Sequence, residues 1–177
     1  MIIKTPLITT AVCSLIAITS FGQVNNFTTL TIESGATLYV DNSMNNSVGA
    51  TISNAGEVRI SGDFDNSGTS GIGSLVTLNG ANTQTVTGTS QFYGVLQVDK
   101  TGGAATVTSG TTSIHGILRL TEGSMNANDN LVIASTPTET GLVDDFSDPS
   151  YDGSLIGNLR VQRYISSTSA NASGFHY

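Results

Sequence analysis

Ser74-Leu75-Val76-Thr77-Leu78, Gly94-Val95-Leu96-Gln97-Val98 and Gly116-Ile117-Leu118-Arg119-Leu120 are one phrase written three times: small residue, any residue, aliphatic, any residue, aliphatic. Two earlier copies, Ala36-Thr37-Leu38-Tyr39-Val40 and Gly56-Glu57-Val58-Arg59-Ile60, extend the series. Successive copies begin 20, 18, 20 and 22 residues apart. A sixth, Gly157-Asn158-Leu159-Arg160-Val161, follows 41 residues on, about two periods, as though one coil between were degenerate or carried an insertion. Alternation of apolar and polar residues is the period of a half-buried strand. A lone strand of this length cannot bury its apolar side, but copies stacked in register can.

A weaker series lies between the first: Leu30/Ile32, Ile52, Val86, Val107 and Leu131/Ile133. Each period therefore supplies at least two short strands, separated by turn formers such as Asn54-Ala55-Gly56, Asp65-Asn66-Ser67-Gly68 and Asn79-Gly80. The fold expected is all-β, a parallel β-solenoid (β-helix) with coils of about 20 residues. A β-sandwich is the alternative, since it too is built of many short strands. It gives no reason for one phrase to recur at a nearly constant interval. If the stack forms, Val58, Val76, Leu96 and Leu118 sit above one another in a single column. Buried Asn is expected to form hydrogen-bonded ladders between coils.

Composition agrees with this architecture. Thr, Ser, Asn and Gly make up close to half of the 177 residues, charged residues are 11% and Trp is absent, which excludes coiled coils and helical bundles. A net charge of −7 with six basic residues removes the electrostatic footprint that nucleic-acid binding requires.

Residues 1–22 carry the marks of a secretory signal peptide: Lys4 in a short n-region, an apolar stretch from Leu7 to Ile18, and Ser20-Phe21-Gly22 before Gln23. Cys13 lies within it, so the remaining chain is expected to fold without disulfides. No later segment approaches the roughly 20 apolar residues of a membrane-spanning helix. The solenoid is assigned to 23–165 and a truncated or frayed tail to 166–177.

Chemistry-bearing residues are sparse. His115 and His176 are the two histidines; His115 is read as a coil-surface residue and His176 as part of the tail. No catalytic, cofactor-binding or metal-ligating residue is expected. The competing idea is calcium, near Asp63 and Asp65 or near Asp144, Asp145, Asp148 and Asp152. Against it, Asp63-Phe64-Asp65-Asn66 reads as a coil corner with Phe64 inside and Asp65-Asn66 shaping the turn, and the second group reads as a solvated insertion. Arg59 and Arg119 occupy the polar slot of the phrase and are expected to align on one face, without making an active site. Lys100 is the one lysine after the leader. Tyr39, Phe92, Tyr93, Tyr151 and Tyr164 would stack on sugar rings if exposed together; core packing or isolated exposure is the simpler expectation.

Gly80-Ala81-Asn82-Thr83-Gln84-Thr85-Val86-Thr87-Gly88, Phe92-Tyr93-Gly94-Val95-Leu96-Gln97-Val98-Asp99-Lys100 and Gly116-Ile117-Leu118-Arg119-Leu120-Thr121-Glu122-Gly123-Ser124-Met125, with the leader ending Ser20-Phe21-Gly22-Gln23, resemble large secreted, adhesin-like β-solenoid proteins of the Bacteroidetes. Gly157 to Ile165 looks like the phrase that ends their solenoid. The resemblance implies a chain that continues into further domains and a C-terminal sorting domain read by type IX secretion, with this chain as the N-terminal portion. Expected from it is a secreted or surface-associated structural and adhesive module without catalysis, in the extracellular space, or in the periplasm if the sorting domain is lacking. Its expected partners are extracellular glycans or host and surface proteins, with self-association through the open solenoid edge. The alternatives are a carbohydrate-binding or carbohydrate-processing β-helix, and a non-functional fragment of a longer surface protein.

Overall fold

The structure, a computed structural model, describes residues 12–13, 20–144 and 151–165. Residues 1–11 and 14–19, Asp145, Asp148 and all of 166–177, including His176, lie outside the described residues. Those described form strands and no helix, so none contributes a helix long and apolar enough to cross a membrane.

The chain is a parallel β-solenoid with turns of about 20 residues. Each full turn has three faces. The first carries Val24–Asn26, Met44–Asn46, Phe64–Asn66 and Gln84–Gly88, continued by the latter halves of Val95–Val107 and Ile117–Asn126 and by Ser154–Ile156. On the second lie Thr29–Ile32, Thr51–Asn54, Thr69–Ile72, Ser90–Phe92, Thr112–Ile114, Leu131–Ile133 and Arg160–Val161. The third holds the repeat phrase: Thr37–Val40, Glu57–Ile60, Leu75–Asn79, the opening halves of Val95–Val107 and Ile117–Asn126, and Leu142–Val143. Those two long strands turn the corner from third to first face without a break in the strand, joining both faces into one sheet. At the N-terminal end of the described residues, Val12–Cys13 pairs in parallel with Thr31–Ile32, and Ser20–Phe21 with Tyr39–Val40.

Register makes the core. Leu38, Val58, Val76, Leu96, Leu118 and Val143 are successive partners on the third face, and so are Val40, Ile60, Leu78, Val98 and Leu120. The expected column is therefore present. Ile72, Phe92, Ile114 and Ile133 line the second face, and Met44, Phe64, Val86 and Val107 the first, all buried. The small residue opening the phrase has a steric cause. A Cβ on Gly116 would run into the Gly94 carbonyl one rung away, and a Cβ on Gly94 into that of Ser74.

The largest polar groups in this interior are tied into chains of hydrogen bonds. The expected Asn ladder is formed by Asn26, Asn46 and Asn66: Asn26 Nδ2 donates to Asn46 Oδ1 and Asn46 Nδ2 to Asn66 Oδ1, each at 2.7 Å, and Asn66 Nδ2 continues to Ser90 Oγ at 3.1 Å. Each amide thus satisfies the next rung's amide in a dry setting. Asn46→Ala is expected to lower the urea-unfolding free energy by about 2 kcal/mol, because it removes both partners of a buried chain. Asn45→Ala, one residue away and partly exposed, is the control with little effect.

Three expectations are corrected. The copy Gly157-Asn158-Leu159-Arg160-Val161 is not on the phrase's face: Arg160–Val161 pairs with Val132–Ile133 of the second face, and Leu142–Val143 continues the third. The insertion is real, because the chain leaves the coil after Ala134 and returns at Gly141 across a Ser135–Thr140 bridge. Leu30, Ile32, Ile52, Leu131 and Ile133 share the second face, whereas Val86 and Val107 belong to the first, so there are three strands per turn. Asp65-Asn66 shapes no turn; Phe64–Asn66 is a strand, and Asn66 is a fully buried ladder residue.

Candidate functional site

The outward side of the third face is flat because every rung repeats its geometry. Tyr39, Arg59, Thr77, Gln97 and Arg119 are register partners there, an unbroken outward column. Four rung steps at about 4.8 Å make it roughly 19 Å long. The expected alignment of Arg59 and Arg119 is present, with Thr77 and Gln97 between them.

Each guanidinium is held twice. Arg59 Nε donates to Glu57 Oε1 at 2.7 Å, and its guanidinium carbon lies 5.7 Å from the centre of the Tyr39 ring. Arg119 Nε donates to Asp144 Oδ2 at 2.7 Å, with its guanidinium carbon 5.9 Å from the Tyr151 ring centre. The Asp144 hydrogen bond raises the Arg119 pKa, with smaller help from the charges of Tyr151 and Asp144, against the opposing effect of burial. Each arginine thus sits in a group of an aromatic ring, a cation and a carboxylate, charge-neutral and stiffened by cation–π contact. At the centre of the column Thr77 is 1% exposed, and its Oγ1 has no hydrogen-bond partner among the described residues. Asn79 Oδ1 and Thr121 Oγ1, at the same corner of the coil, share that condition.

Beside the column runs an aliphatic line of Leu75, Val95, Ile117 and Leu142, again successive register partners. At the neighbouring corner Tyr93 stacks on His115, with ring centroids 4.7 Å apart and planes at 21°. His115 was expected at the coil surface. Instead its side chain is only 11% exposed, covered by Tyr93, with Nδ1 3.4 Å from Glu139 Oε2 on the insertion.

The remaining predicted positions scatter. Asp63 Oδ1 accepts the Thr85 amide at 2.7 Å, Asp65 accepts from Ser67 Oγ, and Asp152 is exposed. Among the described residues, no three His, Cys, Asp or Glu side chains come together in a group that could hold a metal. Phe92 is core, tilted against Phe64, and Tyr164 is half-exposed at the last rung. Only Tyr39 and Tyr151, of the five aromatic residues singled out, belong to the column.

The Lys100 site was not anticipated. It is 1% exposed, and its Nζ donates to Gly80 O, Asn82 O and Gln84 Oε1 at 3.1, 2.8 and 2.6 Å. Gln84 Nε2 in turn donates to the Ile60 and Gly62 carbonyls, so the corner between third and first faces is tied across three rungs.

Fold and outer face together define a parallel β-solenoid protein with an ordered polar column on its third face. The chain matches no protein-family model, no curated protein and no solved structure.

Proposed function

We propose that the chain is a secreted or cell-surface structural and adhesive module, acting without catalysis through many shallow contacts. The observation that carries this reading is the third face, where register alone lines up outward side chains at a fixed rung spacing. A flat array of this kind offers weak individual contacts, and repetition multiplies them through effective concentration. Supporting a second contact mode, the last described rung, Leu142–Val143, Ser154–Ile156 and Arg160–Val161, has no further strand paired beyond it among the described residues, an edge suited to a second copy of the chain.

The test compares free chain with chain multimerised on beads, over surfaces coated with glycans and with proteins. Retention is expected to rise more than tenfold on multimerisation. Equal and negligible retention in both formats would overturn the adhesive reading.

A further inference from the structure

We propose that the outer column of the third face is a binding strip for a linear, uncharged polysaccharide lying along the stack axis. This rests on the adhesive reading and names its ligand class.

Charge selects the ligand. Arg59 and Arg119 would draw a polyanion if they were free, but each already has a carboxylate at 2.7 Å. Glu57 and Asp144 would moreover repel an anionic chain. What remains is a neutral strip rich in donors: a guanidinium carries five N–H groups, more than one carboxylate oxygen engages, and Gln97 adds an amide with both donor and acceptor. A chain of neutral sugars presents the complement, hydroxyl edges alternating with apolar ring faces.

Geometry places these groups in order. Tyr39 and Tyr151 flank the two arginines, offering aromatic surface to pyranose rings. The half-buried line of Leu75, Val95 and Ile117 beside the column supplies a shallow apolar floor for C–H faces. Midway, Thr77 Oγ1 is buried and unpartnered, a state that costs about 1–3 kcal/mol. That oxygen is closed to solvent, so a sugar hydroxyl supplies the missing partner where the side chains over it part on binding. The strip has the length of several rungs and no enclosing wall, so it suits an extended polymer better than a small ligand, which needs a concave site.

The experiment is affinity electrophoresis of the full chain in gels containing hydroxyethyl cellulose, glucomannan or polygalacturonate, with and without EDTA. Retardation by at least one of the two neutral polymers, unchanged by EDTA, is expected. The double variant Tyr39→Ala with Gln97→Ala should lose it at least tenfold, and Thr77→Val about threefold, with far-UV circular dichroism unchanged. Retardation by polygalacturonate alone, loss of binding with EDTA, or full binding by the folded double variant would each overturn the proposal. So would no retardation by either neutral polymer in a chain that still adheres when multimerised, a result that leaves the adhesive reading standing. Failure of adhesion on every surface defeats the broader reading instead.

Discussion

Leu118→Asp is expected to leave no folded protein. Leu118 is fully buried, with Leu96 on one side and Val143 on the other in the central column of the third face. Losing a buried leucine side chain costs about 2–5 kcal/mol. An unpaired carboxylate in the same place adds several more, and the sum rivals the whole stability of an ordinary domain, about 5–15 kcal/mol. Soluble yield and far-UV circular dichroism read the outcome: aggregated material, or a spectrum without strand. The neighbouring substitution Arg119→Ala is the control. Side chains alternate between core and surface along a strand, so a change one residue away falls on the outside. It removes a partly exposed ion pair worth about 0–1 kcal/mol, and the chain should stay folded. If both variants behaved alike, the alternation on which the solenoid depends would be wrong.

Lys100→Met is expected to cost about 3 kcal/mol, measured by urea unfolding at neutral pH. The substitution keeps the aliphatic volume but strips the donor from Gly80 O, Asn82 O and Gln84 Oε1. A lysine serving only as hydrophobic filler would tolerate this change. The pH dependence gives a second readout. Burial lowers the Lys100 pKa below its ordinary 10.5, so the folded chain gives up that proton at a lower pH than the unfolded chain does. Between the two values the unfolded state binds more protons, and the unfolding free energy therefore rises with pH. Relative to the variant, the native protein should gain stability as pH climbs toward 10.5. A difference between the two proteins that stays flat across that range would mean that Lys100 keeps its proton equally well in both states.

Much of the fold was legible because one physical rule, alternation at period two, repeats on a near-constant interval. That rule locates the inside of each strand but not the face to which the strand belongs. All three faces use the same alternation, which is why Gly157 to Val161 could be mistaken for another copy of a phrase that Leu142–Val143 continues. The polar interior was readable in principle. Lys100 stands two residues after Val98, as Asn46 and Asn66 stand two after Met44 and Phe64, and parity alone puts all three inside. Residue type argued otherwise, since lysine and asparagine usually face water. The ladder and the Gln84 network reverse that preference, and their partners come from rungs 16 to 24 residues away. Of the candidate site, the alignment of Arg59 with Arg119 followed from the repeat. Their pairing with Tyr39 and Tyr151 did not, because Tyr151 belongs to no copy of the repeated phrase and nothing in the spacing places it beside Arg119.

The hydrogen bonds between rungs run along the axis of the stack, and this bears on what happens when the molecule is tugged by its ends. Such a load opens one turn at a time, like a zipper, and does not strain all the bonds together. Each freed turn of 20 residues would pay out about 70 Å of slack. Under such a load the stack yields in stages and dissipates work turn by turn.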